Sequence, residues 1–147
     1  MASSIQVGMN LYNTLKEIYF SLDNGDRRLL EGYNLSVPRF YLLKHIADHP
    51  GITLTQLSAL MLSDKSNITR LIQRVEAEGL VSRQQHEMDG RALSLHLTGE
   101  GHKLLSDALR AHANFTQERF APLQENAKSL LADLQEVKHI LESQLNS

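Results

Sequence analysis

Apolar residues recur every three or four positions in two long segments, one at each end of the chain. In residues 5–31 this spacing predicts an amphipathic helix, although Asn24, Gly25 and Asp26 predict a break or bend before Leu29. The apolar positions of that helix are Ile5, Met9, Tyr12, Leu15, Tyr19 and Leu22. In the last helix the spacings of four and three alternate, which is typical of a packed helix pair. These positions are Leu123, Ala127, Leu130, Leu134, Val137, Leu141 and Leu145.

Three shorter helices are predicted between those segments by residues that favour helix ends. The first begins at Ser36, with Pro38 tolerated in its first turn, and ends at about His49, in a His-Pro-Gly sequence. Thr53 is the expected N-cap of a second helix, which runs through Leu60. The third runs from Lys65 to Glu78, with Ser63 or Asp64 as its N-cap and Gly79 as its terminator.

The next segment changes to the alternating pattern of β-strands. Leu80-Val81-Ser82-Arg83 predicts one strand, and Asp89-Gly90 is a hairpin signal. Apolar and polar residues then alternate over 93–97, as in a half-buried return strand. Thr98 is a candidate N-cap for a helix over 99–118, with Glu100 favoured in its first turn and a break near Ala121-Pro122.

This order of elements predicts a mainly α fold, formally α+β. A helix, a short turn, a second helix and a two-stranded hairpin form a winged helix-turn-helix, here over residues 36–98. The helices in 1–35 and 99–147 are not needed for that DNA-binding lobe. Because their apolar stripes need a partner, we expect them to form a dimerisation region with a second copy of the chain.

The helix after the short turn has two different faces when it is drawn at 100° per residue. Ile68, Leu71, Ile72 and Val75 fall on one side and predict its buried face. Arg, Gln, Asn and Thr side chains on the other side match base edges in the major groove of DNA. The predicted DNA-contacting residues of this helix are Lys65, Ser66, Asn67, Thr69, Arg70, Gln73 and Arg74. The simpler interpretation is a solvated polar face, and the adjoining hairpin favours DNA.

Charge alone does not identify a nucleic-acid-binding protein. The formal net charge is −2, and residues 36–103 hold eight Lys/Arg against seven Asp/Glu. The position of each charge therefore has to carry the prediction.

Composition excludes several other classes. The chain has no cysteine, which excludes disulfides, thiol redox sensing and thiolate metal sites. Ser, His and Asp occur in no nucleophile-elbow context and no glycine-rich phosphate loop follows a strand, so no enzyme and no cofactor are predicted. No apolar run is long enough to span a bilayer and no signal peptide is apparent, so we expect a cytoplasmic protein with no membrane partner.

The hairpin and the helix after it resemble the signature of the MarR family of bacterial transcription regulators. That signature is D-x-R followed by L-x-L-T-x-x-G, and here it reads Asp89-Gly90-Arg91 and then Leu95-His96-Leu97-Thr98-Gly99-Glu100-Gly101. Ser66 to Val81 is similar to the family's recognition helix and its exit to the wing, and the likeness covers nearly the whole chain. One departure is Leu62, at a turn position where many helix-turn-helix proteins have glycine.

The resemblance implies a homodimeric regulator, with two lobes on a palindromic operator in double-stranded DNA. Recognition helices would enter adjacent major grooves and wings the flanking minor grooves. Arg91 then has two compatible roles, entering the minor groove or pairing with Asp89 to stabilise the wing. Arg83 either contacts phosphate or flanks its strand.

The resemblance also implies a repressor released by a small anionic or aromatic effector bound between the lobe and the dimerisation region. Tyr12, Tyr41, His45 and His112 are candidate effector-binding residues, and the alternative for each is a core or interface residue with a polar tip. A metal-responsive regulator is a further alternative, because His45 and His49 lie four residues apart. A third is a winged-helix protein-interaction module, which the arginines of the polar helix face disfavour.

Overall fold

A computed structural model describes residues 1–85 and 92–147. Its helices are α1 (Ser4–Glu31), α2 (Val37–Asp48), α3 (Leu54–Leu60), α4 (Lys65–Ala77), α5 (Gly99–Phe120) and α6 (Asn126–Leu145), with a 3-10 turn at Ala121–Leu123. Its strands are β1 (Ile52–Thr53), β2 (Val81–Gln85) and β3 (Leu93–Leu97). The mainly α winged-helix prediction is confirmed by this order of elements.

The chain divides into two compact units, residues 1–110 and 111–147. The first holds α1 to α4, the sheet and the first half of α5, and it contains the hydrophobic core. Fully buried side chains from four helices meet there, namely Leu30, Leu42, Leu43, Ile46, Leu57, Ile68 and Val75. The second unit holds the rest of α5, the 3-10 turn and α6, and most apolar side chains of α6 are exposed.

The predicted helix boundaries are largely confirmed by the capping contacts. The hydroxyls of Ser36 and Thr53 each accept a hydrogen bond from the backbone three residues on, and Gln56 completes a capping box with Thr53. Gly79, with φ of 76°, ends α4 in the left-handed conformation that suits glycine. Thr98 accepts from the backbone N–H of Gly101 at 3.0 Å.

The bend expected in α1 is wrong, because α1 continues through Asn24, Gly25 and Asp26 without interruption. One glycine inside a helix costs only about 1 kcal/mol. Burial of Leu30 beyond it stabilises the continuation, since Leu30 is fully enclosed by the core.

The prediction of a two-stranded hairpin is also incomplete, because the sheet has a third strand. β1 pairs with the far edge of β3, so that β3 is the central strand in the order β1-β3-β2. The expected alternation of buried and exposed residues in β3 also fails, because Ser94 is buried, whereas Leu93 is 46 % exposed. The hydroxyl of Ser94 donates to the carbonyl oxygen of Gln84 at 3.1 Å, which makes its burial tolerable.

Candidate nucleic-acid interface

The start of α4 is held by a short network around Asp64. Its carboxylate accepts hydrogen bonds from the Ser66 hydroxyl at 2.6 Å and from the Asn67 backbone N–H at 2.8 Å. Asp64 is therefore the N-cap, and Ser63 instead accepts from the Asn67 side-chain amide at 2.8 Å. The Ser66 hydrogen bond, followed by that of Asn67, lowers the pKa of Asp64 below its usual range.

The two faces of α4 lie as the helical pattern predicts. Ile68, Ile72 and Val75 are buried in the core of the first unit, and Leu71 is half-buried. The exposed residues of the opposite face and the helix start are Lys65, Ser66, Arg70, Gln73 and Arg74. The buried residues fix the rotation of α4 about its axis, and so they determine which polar side chains face outward.

The outward side chains differ in how far the protein already uses their polar atoms. The hydroxyl of Thr69 donates to the carbonyl oxygen of Lys65 at 2.7 Å, and Asn67 is engaged with Ser63. Arg70 and Gln73 make no hydrogen bond or ion pair with any residue that the structure describes. Their donors are thus the most available on this face.

Arg83 lies on β2 and is paired with α4. Its Nε donates to the carboxylate of Glu76 at 2.6 Å, with the two side chains 33 % and 39 % exposed. The pair links the recognition helix to the first strand of the wing. Of the two roles considered for Arg83, flanking the strand matches this contact, and a phosphate contact would have to compete with Glu76.

Sequence reasoning missed Arg39, in the first turn of α2. Its guanidinium is buried and pairs with the carboxylate of Glu78, at the end of α4, while Nη1 donates to the carbonyl oxygen of Asn34 at 2.9 Å. Burial, and then the charge of Arg74, lowers the pKa of Arg39 below its usual value. An available signal was a basic residue in a helix's first turn, where the dipole disfavours it.

The predicted tip of the wing lies outside the described residues, and it includes Asp89 and Arg91. Their assigned roles therefore stay predictions. The described parts of the hairpin are antiparallel, with Val81 opposite Leu97 and Gln85 opposite Leu93.

Comparison with known proteins decides the family. A model described as "MarR family" matches residues 33–92. Transcriptional regulator HosA of Escherichia coli O157:H7 is 30 % identical over 101 residues, which are 69 % of this chain and 75 % of HosA. The chain belongs to the MarR family. Members of this family are transcription regulators and not enzymes, so the chain is a DNA-binding winged helix-turn-helix regulator.

Other relatives extend the similarity over most of the chain. HTH-type transcriptional regulator MgrA of Staphylococcus aureus is 26 % identical over 137 residues, 88 % of this chain and 86 % of MgrA. The crystal structure of the transcriptional regulator BldR from Sulfolobus solfataricus has a TM-score of 0.79 and 27 % identity, covering 94 % of this chain and 99 % of that one. The wild-type MarR structure from E. coli, at 20 % identity and a TM-score of 0.76, shares the fold.

The four candidate effector-binding residues of this MarR-family chain lie on three helices. Tyr12 is on α1 and 56 % exposed, and Tyr41 and His45 lie one turn apart on α2. His112 is on the part of α5 that belongs to the second unit. Burial, and then the charge of Lys44, lowers the pKa of His45 and favours its neutral form.

A cleft of about 490 Å³ lies elsewhere, between α3, α4 and the sheet. Thr69, Ile72 and Arg83 contribute to its wall, and the remaining lining residues are Thr53, Leu54, Thr55, Ala92, Leu93 and Leu95. None of the four candidate effector-binding residues lines it. Two predicted DNA-contacting residues, Thr69 and Arg83, do.

The described residues contain no group of three or more His, Asp or Glu side chains placed to hold a metal ion. They also contain no helix both long and apolar enough to cross a membrane.

Proposed function

We propose that the chain is a homodimeric repressor that binds an inverted-repeat operator through α4 and the wing and is released by a small aromatic or anionic effector. The observation that carries the proposal is the outward face of α4. Arg70 and Gln73 are exposed there without a described partner, on a helix whose other face is anchored in the core.

The chemistry of that face fits base recognition. An arginine donates two hydrogen bonds to guanine O6 and N7, and a glutamine pairs with the adenine edge. We therefore assign base contacts to Arg70 and Gln73, with the methyl of Thr69 available to thymine. Lys65 and Arg74, towards the two ends of α4, are assigned to phosphates, which set the position of the helix on DNA.

The remaining predicted contacts surround that face. Ser66 and Asn67 lie in the first turn of α4 and would contact the DNA backbone or the neighbouring base edges. Arg91 is assigned to the minor groove, with Asp89 as its wing-stabilising partner. Arg83 is the weakest candidate, because its Nε–H already donates a hydrogen bond to the carboxylate of Glu76.

Dimerisation is supported by apolar side chains that a single chain leaves exposed. On α1, Ile5 is 78 % and Tyr19 61 % exposed, and α6 exposes Leu134 and Leu141 among others. Residues 1–35 and 99–147 are the proposed dimerisation region, with the DNA-binding lobe at 36–98. A twofold dimer would place its α4 helices about one DNA turn apart, roughly 34–36 Å.

An effector would release DNA by changing the distance between the two α4 helices of the dimer. It can change that distance only if it binds the DNA-ready arrangement and a second arrangement with different affinities. Tyr12, Tyr41, His45 and His112 remain the proposed binding residues. A panel of simple aromatic carboxylates, tested for binding and for operator release, checks this part: tight binding that leaves operator affinity unchanged contradicts it.

The first experiment selects binding sites from random duplexes and measures affinity against salt. We expect an enriched inverted repeat with half-sites one turn apart and a steep loss of affinity as salt rises. Transcription from a promoter carrying that repeat should fall when the protein is added, whereas a rise would contradict the repressor assignment. No enrichment at low salt would contradict operator binding itself.

Arg70→Ala tests the assignment of α4 directly. Loss of a base contact should cost about 1–3 kcal/mol of specific binding and relax the preference at one base pair. The matched control is Arg28→Ala, an exposed arginine near the end of α1, which changes the net charge equally. Equal, small effects of both substitutions would refute the docking of α4.

A further inference from the structure

Arg39 is unusual among the cations of the lobe because its side chain is only 7 % exposed. It connects the turn after α1 to the end of α4. Nη1 donates to the carbonyl oxygen of Asn34, and Nη2 pairs with Oε2 of Glu78. Its Nε makes no hydrogen bond within the described chain.

Glu78 has a second cationic neighbour on its other oxygen. Oε1 lies 3.6 Å from Nε of Arg74, one turn earlier on α4. The Arg74 side chain is 70 % exposed and lies on the outward part of the helix. One carboxylate is thus shared between a buried guanidinium and an exposed one.

The sharing has an electrostatic consequence for Arg74. An arginine and a glutamate four residues later on a helix attract each other, and an unshared carboxylate would offset the charge of Arg74. With Arg39 in place, the carboxylate is already compensated from the protein side. The three groups together carry one net positive charge, and the exposed member of the cluster presents it.

We propose that Arg39 is a positioning residue, which compensates Glu78 and so keeps the charge of Arg74 available to a DNA phosphate. The inference rests on the proposed DNA-binding face, but it adds a residue that does not touch DNA. A purely structural pair is the alternative. In that case Arg39→Gln would leave DNA binding unchanged, or would weaken it equally with Glu78 or Gln at position 78 and with Arg or Gln at position 74.

The test is a set of charge variants measured against two duplexes, one carrying the selected inverted repeat and one of mixed sequence without it. Arg39→Gln should weaken binding at low salt by about threefold to tenfold and make the salt slope shallower by up to about 0.9, the value of one phosphate contact. Because phosphates carry no sequence information, both duplexes should lose affinity alike. Arg39→Lys, which keeps the positive charge, should retain most of the affinity of the original chain.

The double variant Arg39→Gln/Glu78→Gln separates the charge effect from misfolding. With the carboxylate neutralised, its affinity and salt slope should return to those of the original chain or exceed them. In an Arg74→Gln background, Arg39→Gln should have no further effect. Circular dichroism confirms that each variant is folded before its affinity is compared.

Three results would overturn the proposal: a double variant as weak as Arg39→Gln, an equal loss in the Arg74→Gln background, or an unchanged salt slope. Each of these leaves the proposed function intact, because the original chain still binds. If the original chain binds neither duplex at low salt, the proposed function fails first and this inference fails with it.

Discussion

Gly101, the last residue of the family signature, is the position where one methyl group should matter most. A Cβ built on Gly101 would lie 2.0 Å from the carbonyl oxygen of Leu80 and 3.0 Å from its carbonyl carbon. Both neighbours are backbone atoms, which cannot rotate away as a side chain can. Gly101→Ala therefore requires α5 to move away from the strand that leads into the wing.

The magnitude follows from what that movement disrupts. Overpacking a tight contact costs about 1–3 kcal/mol. The same carbonyl oxygen accepts the Thr98 backbone N–H at 3.0 Å, and weakening this hydrogen bond adds about 1 kcal/mol. Alanine's better helix propensity returns at most about 1 kcal/mol. We expect the free energy of unfolding to fall by about 2–3 kcal/mol.

Gly99→Ala is the matched control, because Gly99 lies in the same first turn of α5. A Cβ there meets nothing within 4 Å. It should leave stability unchanged or raise it by up to about 1 kcal/mol. Urea unfolding at one fixed protein concentration measures both variants, since dimerisation would make the midpoint depend on concentration. If the two variants differ by less than about 0.5 kcal/mol, the contact with Leu80 does not constrain α5 as argued.

Three further outcomes are expected. Leu62 has φ of 50° and is 94 % exposed, in the left-handed region that asparagine tolerates better than leucine. Leu62→Asn should therefore raise the free energy of unfolding by about 0.5–1 kcal/mol, and Leu62→Val should lower it. The reverse order in thermal unfolding would contradict strain at this turn. The lowered pKa of Asp64 means that its charged form contributes stability above the ordinary aspartate pKa of about 3.9, and that this contribution is lost as pH falls through the lower pKa of the folded state. Acid unfolding of Asp64→Asn should accordingly lack that component, and an unchanged acid profile would refute the cap's contribution. Because Arg91 is assigned to the minor groove, Arg91→Ala should weaken binding mainly to duplexes with A·T-rich flanks; an equal loss on all duplexes, with a salt slope shallower by about 0.9, would indicate a phosphate contact instead.

Local sequence signals predicted most of the fold because its elements end at residues with strong conformational preferences. Ser36, Thr53 and Thr98 cap helices, and Gly79 ends one, as their side chains favour. The buried face of α4 followed from its period of 3.6 residues alone.

The wrong predictions depend on contacts between distant segments. The pairing of Ile52 with Leu95 joins residues 43 positions apart, and a two-residue strand has no pattern of its own. Ser94 is also buried, and its hydroxyl donates to the carbonyl oxygen of Gln84 on the neighbouring strand. The predicted bend in α1 failed because the core around Leu30 outweighs the cost of one glycine.

The candidate interface was likewise predictable where it depends on local sequence and not where it depends on contacts between distant residues. Which side chains face outward on α4 was predictable from its helical period, whereas their ion-pair partners were not, because those depend on which carboxylates the fold brings close. Arg83 is compensated by Glu76 across seven residues, and Glu78 is shared with Arg39 across 39. Glu76 lies in the last turn of α4, and Glu78 is the C-cap residue of that helix.

The ion pairs also explain how a chain with a net charge of −2 can present a cationic surface to DNA. Towards the C-terminal end of α4, Arg74 and Arg83 have carboxylate neighbours within 4 Å. In its N-terminal half, Arg70 has no carboxylate within 4 Å among the described residues, and the charged Asp64 carboxylate that caps the helix interacts with it only over a longer distance. Arg70 therefore lies without an ion pair among the described residues in the N-terminal half of α4, the part of a recognition helix that contacts base edges.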